Sequence, residues 1–209
     1  MRGFTFVMGA CLALALDAVA LAATDTPEQV VRSTADAVIA KVTADRDALR
    51  ADPKRLNALV DEMIVPRFDF PRMAQWVLGK YWRDADAAAR GRFIEEFKNL
   101  LVRTYATALL EYSNQNITYF PVQATSDSRS VTVKTEIEQP GSVAVPILYR
   151  MHVKDGYWKV YDIAVDGVSL ITTYRASFAS EIRKSGIDGL IDNLAARNSS
   201  TSAAATQTQ

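Results

Sequence analysis

The tightest constraint on this chain is a two-residue turn, Asp155-Gly156, set between two runs of strand-like residues. The favoured two-residue hairpin turn needs positive φ at both positions, and Asp-Gly supplies it. Before the turn, Val143, Val145, Ile147, Tyr149, Met151 and Val153 alternate with Ala144, Pro146, Leu148, Arg150, His152 and Lys154, the period of a strand. After it, Tyr157 to Val165 returns as the partner strand. The short loop sets the register: Val153 faces Trp158, Met151 faces Val160, Tyr149 faces Asp162 and Ile147 faces Ala164. One face of this hairpin is therefore mostly apolar. Asp166-Gly167 ends the second strand, and Val168 opens a helix running toward Gly189. A sheet face with a helix hinged onto its end must bury something between them.

The N-terminal half reads as helices. Thr26, Pro27 and Gln29 form a capping box with proline at the first helical position, opening a helix to about Arg50. Asp52-Pro53 repeats the device for a second helix, which Pro66 stops. A short helix carries Met73, Trp76, Val77 and Leu78, with Gly79 just past its end. Asp84 is the expected cap of the longest helix, about Ala85 to Ser113, with Phe93, Phe97, Leu101, Tyr105 and Leu109 along its stripe. The period then changes. Ile117 to Gln123 is a strand in which Pro121 argues for an edge, and Val131 to Glu138 is a strand with one wet face. Ser185-Gly186 breaks the last helix, and Ile187 to Leu194 forms a short one. The expected fold is α+β: N-terminal helices, a four-stranded antiparallel sheet, and C-terminal helices.

The first residues stand apart. Arg2 precedes an apolar run from Phe4 to Leu16, and Ala20-Leu21-Ala22 is a small-x-small cleavage pattern. Residues 1–22 are read as a signal peptide, 23–197 as one domain, and 198–209, rich in Ser, Thr, Ala and Gln, as a disordered tail. The single cysteine, Cys11, lies in the leader, so the mature chain offers no thiol chemistry. A lipoprotein site at Cys11 is disfavoured, because cleavage there leaves a very short apolar segment before it. Cleavage after Ala22 removes one base (Arg2) and one acid (Asp17), so the balance of charge stays at zero. No charge excess drives counterion release, so no nucleic-acid partner is expected.

Catalytic signatures are sparse. There is no glycine-rich phosphate loop. The one histidine, His152, has no partners at ligand spacing and reads as a surface residue, so neither a metal nor a catalytic site is assigned. Asp162 falls among apolar partners. It is either a structural acceptor for a Tyr, an Arg or a backbone amide, or a catalytic acid. Arg175, Arg183 and Lys184 read either as a solvated face or as contacts for an anionic partner. What remains is apolar surplus, and periodicity cannot tell a packed core from a hollow one.

Several strings carry a resemblance. Tyr157-Trp158-Lys159-Val160-Tyr161-Asp162-Ile163, then Gly167-Val168-Ser169-Leu170-Ile171-Thr172-Thr173, then Ser185-Gly186-Ile187-Asp188-Gly189-Leu190 resemble the MlaC family. Ile64-Val65-Pro66-Arg67-Phe68-Asp69, Val77-Leu78-Gly79-Lys80-Tyr81-Trp82 and Phe93-Ile94-Glu95-Glu96-Phe97 look like its N-terminal half. This is the periplasmic phospholipid-binding, or toluene-tolerance auxiliary, family of the Mla lipid-asymmetry pathway. The resemblance implies an NTF2-like sheet plus C-terminal helices enclosing an apolar cavity, and a soluble, monomeric periplasmic carrier. It implies no catalytic cofactor, glycerophospholipid as cargo, and two partners: an outer-membrane lipoprotein–porin complex and an inner-membrane ABC transporter with an MCE-domain subunit. The residues expected to line the acyl-chain pocket are Trp76, Leu78, Tyr105, Leu109, Tyr149, Met151, Trp158, Val160 and Ile171. A hopanoid carrier, an enzyme on the same scaffold using Asp162, and a structural envelope module with a solid core stay open as alternatives.

Overall fold

The structure is a computed structural model that describes residues 25–112, 115–122, 128–138, 141 and 143–204, with side chains to 199. The expected signal peptide therefore lies outside the described residues.

Helix α1 (Pro27–Ala44) opens as its capping box requires. The Gln29 amide donates to Thr26 Oγ1 at 3.2 Å, and the Thr26 amide donates to Gln29 Oε1 at 2.7 Å. It does not run on to Arg50. Asp45 leaves the helical region (φ −115°, ψ 19°), and a separate helix α2 (Arg46–Ala51) follows. The break re-aims Arg46, whose guanidinium donates to the carbonyls of Leu110 and Tyr112. Helix α3 (Pro53–Met63) is capped by Asp52, and α4 (Phe70–Leu78) by Asp69. A short α5 (Tyr81–Asp84) precedes α6 (Ala87–Tyr105). The α6 cap is Asp86 rather than Asp84: Ala85 is extended, so Asp86 is the residue that receives the Ala89 amide, at 2.7 Å. The expected long helix also tightens into a 3-10 stretch, Ala106–Glu111, beyond Tyr105.

The sheet is an antiparallel meander of five strands rather than four, in the order β1 (Asn116–Tyr119), β2 (Ser130–Glu138), β3 (Val145–Lys154), β4 (Tyr157–Val165) and β5 (Val168–Ser169). The added strand is the pair Val168–Ser169, which the sequence reading placed in the next helix. Asp166 and Gly167 both take positive φ, as Asp155 and Gly156 do, so each Asp-Gly pair closes a hairpin. Helix α7 (Leu170–Ala204) kinks at Gly186, where φ 74° and ψ 177° suit only glycine. The helix continues past Asn198, where an irregular tail was expected, to Ala204; residues 205–209 lie outside the described ones.

A register shift falls between Arg150 and Met151. Val153 pairs with Trp158 and Met151 with Val160, as expected, but Arg150 then pairs with Asp162, Tyr149 with Ile163 and Ile147 with Val165. Tyr161 is the extra residue of a β-bulge. The bulge reverses which side of the sheet each later β4 residue meets. Tyr161 joins the core of α4, α6 and α7, whereas Val160 and Ile163 stay with Met151 and Tyr149. That helical core is sealed by Met73, Phe93, Phe97, Leu190 and Leu194. A further cluster joins the C-terminal half of α1 to α3 and the 3-10 stretch.

Candidate functional site

The apolar face of the sheet lies beneath the N-terminal half of α1. Val133, Met151 and Val160 are buried there, with Tyr149, Trp158, Ile163 and Tyr119 partly buried around them. From above, α1 contributes only Val30 and Val31, and the connector contributes Phe68. A cleft opens on each flank of the helix. One, of about 380 Å³, lies between α1 and Tyr112, Asn116 and Tyr119. The other, of about 340 Å³, lies between α1 and the Glu62–Arg67 segment. Two hydroxyls at these flanks, Thr34 Oγ1 and the Tyr119 phenol, are buried without a hydrogen-bond partner among the described residues. Burial pushes the Tyr149 phenol above its ordinary range and the Tyr119 phenol up to about 12.

Of the nine residues expected at a pocket, four meet here: Tyr149, Met151, Trp158 and Val160. The other five do not. Leu78 and Ile171 are packed in the helical core, and Leu109 lies against the α1–α3 cluster. Tyr105 and Trp76 stand 43% and 41% exposed. Helical periodicity placed all five on helix faces, but Leu78, Leu109 and Ile171 face other helices.

Trp76 belongs to a polar hub on the opposite side of the sheet, which sequence reasoning missed. The connector runs beside β4: Phe68 bridges Val160, and the Asp69 amide donates to the Val160 carbonyl at 2.8 Å. This buries the Asp69 carboxylate against β3. His152 Nε2 and Lys154 Nζ each lie 2.9 Å from it, and the Arg72 amide donates to it at 3.2 Å. Burial alone would raise Asp69's pKa; Lys154, the Arg72 amide and His152 together hold it below the ordinary range. His152 is thus a buried, paired residue and not a surface one. Its Nδ1 lies 3.2 Å from Arg72 Nη1, which can only donate, so Nδ1 accepts and Nε2 carries the proton toward Asp69. Burial, with Arg72 beside it, pushes the His152 pKa down. Arg72 also covers the Tyr161 ring at 4.7 Å, and Trp76 lies 5.3 Å from the same ring. Asp69 and His152 lie 83 residues apart in the chain, so no local spacing signals the pair.

Asp162 is a structural acceptor. The bulge turns it away from the apolar layer, and it receives Ser169 Oγ at 2.8 Å, Arg150 Nη1 at 3.2 Å and the Ile171 amide at 3.2 Å. It closes the start of α7 together with Ser169, whose hydroxyl accepts the Thr172 amide at 3.2 Å. Among the described residues there is no cluster of His, Cys, Asp or Glu suited to a metal, and no helix long and apolar enough to cross a membrane.

The comparisons agree with this architecture. A family model described as "MlaC protein" matches residues 32–196, so the chain belongs to the MlaC family. The chain is 29% identical to the intermembrane phospholipid transport system binding protein MlaC of Haemophilus influenzae, over 92% of this chain and 91% of that protein. It is 28% identical to toluene tolerance protein ttg2D of Pseudomonas putida, over 79% and 77% of the two chains. A solved phospholipid-binding protein from Ralstonia solanacearum, in complex with a phospholipid, superposes with a TM-score of 0.77 at 35% identity, covering 84% of this chain and 98% of that one.

Proposed function

We propose that this protein is a periplasmic carrier of glycerophospholipid, with the acyl chains held in the layer between α1 and the sheet. The observation that carries this reading is the thin cover over Met151, Val133 and Val160: two valines of one helix and Phe68, with an open cleft on each flank. On this reading Tyr149, Met151, Trp158 and Val160 are the members of the expected pocket that meet the cargo. The phospholipid held by the Ralstonia solanacearum protein and the transport role named for the Haemophilus influenzae protein support it.

Energetics set the manner of transfer. Each methylene moved out of water contributes about 0.8 kcal/mol, so two acyl chains sum to roughly 20–25 kcal/mol, near the ceiling of noncovalent affinity. In a bilayer the chains are already dry, and moving them into an apolar layer nearly cancels. The carrier therefore holds lipid firmly in water and exchanges it only where docked. Direction comes from partners: an outer-membrane lipoprotein–porin complex and an inner-membrane ABC transporter with an MCE-domain subunit. The protein itself works as a monomer without catalysis.

The test is mass spectrometry of the mature protein purified from the periplasm without detergent, under native and then denaturing conditions. A stoichiometric glycerophospholipid is expected. A hopanoid would change the cargo, and a clean lipid-free mass that persists after incubation with vesicles would overturn the carrier reading.

A further inference from the structure

The side of the sheet away from α1 carries an uneven charge, although the chain as a whole is neutral. From Ile64 to Arg83 the sequence holds Arg67, Arg72, Lys80 and Arg83 against one acid, Asp69; from Val168 to Ser180 it holds Arg175 and no acid. Asp69 is buried and paired, so it presents little charge to solvent. The fold gathers these segments beside the hairpin. Lys159 pairs with His152 and Lys154 with Tyr157, so all four share the face that meets α4. Lys159 Nζ donates to the Pro66 carbonyl at 2.5 Å. One turn after Arg72 stands Trp76, its ring 5.6 Å from the Arg72 guanidinium. The chain turns at Gly79 (φ 55°), and the Arg175 guanidinium lies against that turn, where an added Cβ would come within 2.9 Å of it. Lys80 follows, exposed. The result is a strip of cations from the hairpin tip to the end of α4, with two exposed rings along it, Tyr157 (66%) and Trp76. Asp155 at the tip and Asp84 at the end of α5 mark its two ends.

We propose that this strip docks the protein on the surface of an anionic lipid bilayer. The cations are drawn to the negative surface, and Trp and Tyr rings, apolar with a polar edge, settle at the level of the headgroups. The spacing of the rings fits a flat partner. Four residues of strand, about 13 Å, separate Tyr157 from Tyr161, on whose ring Trp76 rests. Rings so far apart suit a headgroup layer better than the packed centre of a protein interface. The strip lies across the sheet from α1, so a bilayer-bound molecule keeps both clefts beside α1 clear. The bilayer then gathers the carrier on a surface, and the exchange of cargo is left to the other side of the molecule. This docking goes beyond the carrier reading and does not depend on which lipid is carried.

Mature protein is mixed with sucrose-loaded vesicles of phosphatidylcholine, with or without phosphatidylglycerol, and the fraction that sediments with them is measured. Binding is expected where phosphatidylglycerol is present and not to phosphatidylcholine alone. It weakens as salt rises from about 0.05 M to about 0.5 M, because screening shortens the reach of each charge. Lys80→Gln and Lys159→Gln each lower the partition about five-fold, the share of one cation near an anionic surface. Tyr157→Ser lowers it with the salt dependence kept. Lys54→Gln, an equal loss of charge at the exposed start of α3, leaves it near the parent value. Melting curves establish that each variant is folded. Protein that stays in solution with anionic vesicles, or equal losses for the Lys80, Lys159 and Lys54 variants, would overturn the docking surface. Either result leaves the carrier reading in place, because the lipid content of the purified protein tests that separately.

Discussion

His152 and Asp69 meet at 2.9 Å, Nε2 to Oδ2, in the buried joint between the hairpin and the start of α4. Because Nδ1 already faces an Arg72 donor, a second proton on the ring has no acceptor. Charging His152 must therefore push Arg72 away or loosen the joint.

A pH dependence of stability follows. The His152 pKa is lowered in the folded protein from an ordinary 6.5, so its contribution is present above that value and is lost as pH falls below it. The Asp69 pKa is also lowered, from 3.8, so its contribution is present above that value and disappears in more acid solution. Urea midpoints measured at intervals from pH 8 to pH 3 should fall in two stages. In His152→Gln the upper stage should vanish; a persisting upper stage would assign it to another group.

Replacing Asp162 separates its structural role from a chemical one. Asp162→Ala strands Arg150, the Ser169 hydroxyl and the Ile171 amide, and should cost about 2–4 kcal/mol of unfolding free energy. Asp162→Asn keeps an acceptor and should cost less. Both variants, where folded, should carry lipid like the parent, which lipid extraction would check.

Met151 tests the apolar layer. It is buried, so Met151→Ala should cost about 2–5 kcal/mol in lipid-free protein. If acyl carbons fill the layer, the loaded variant should lose measurably less, because lipid occupies the void. Thermal melts of both forms give the comparison. Met151→Arg would place an unpaired charge at a buried position and should fail to fold.

The kink in α7 makes two glycines costly to change. Gly186→Ala puts a Cβ on a glycine-only backbone, and Gly189→Ala puts one 2.5 Å from the Ser185 Cβ. Each should lower stability by about 1–3 kcal/mol. In a domain of this size that reads as about 2–4 °C in Tm per kcal/mol. An unshifted melting point for Gly189→Ala would mean that the two arms of α7 part more readily than their packing suggests.

The local devices were legible in the sequence: the Thr26–Gln29 box, the Asp155-Gly156 hairpin and the break at Ser185-Gly186 each depend on a few adjacent residues. So was the α+β order, because period changes once from helix to strand. The layer under α1 was half legible. Tyr149, Met151, Trp158 and Val160 share a hairpin face, whereas Leu78 and Ile171 needed knowledge of which helix meets which. Tyr161 gives no sign of being an extra residue, since alternation alone counts every position once. His152 and Asp69 lie 83 residues apart, so only the folded chain introduces them.

The bulge at Tyr161 acts as a phase shift in β4. If Tyr161 instead paired with Arg150, simple alternation would carry through the strand and set Asp162 opposite Tyr149 in the apolar layer, with Ile163 on the far face toward the start of α7. One residue thus keeps two incompatible solvents, an oily compartment and a charged helix cap, on the correct sides of the same sheet.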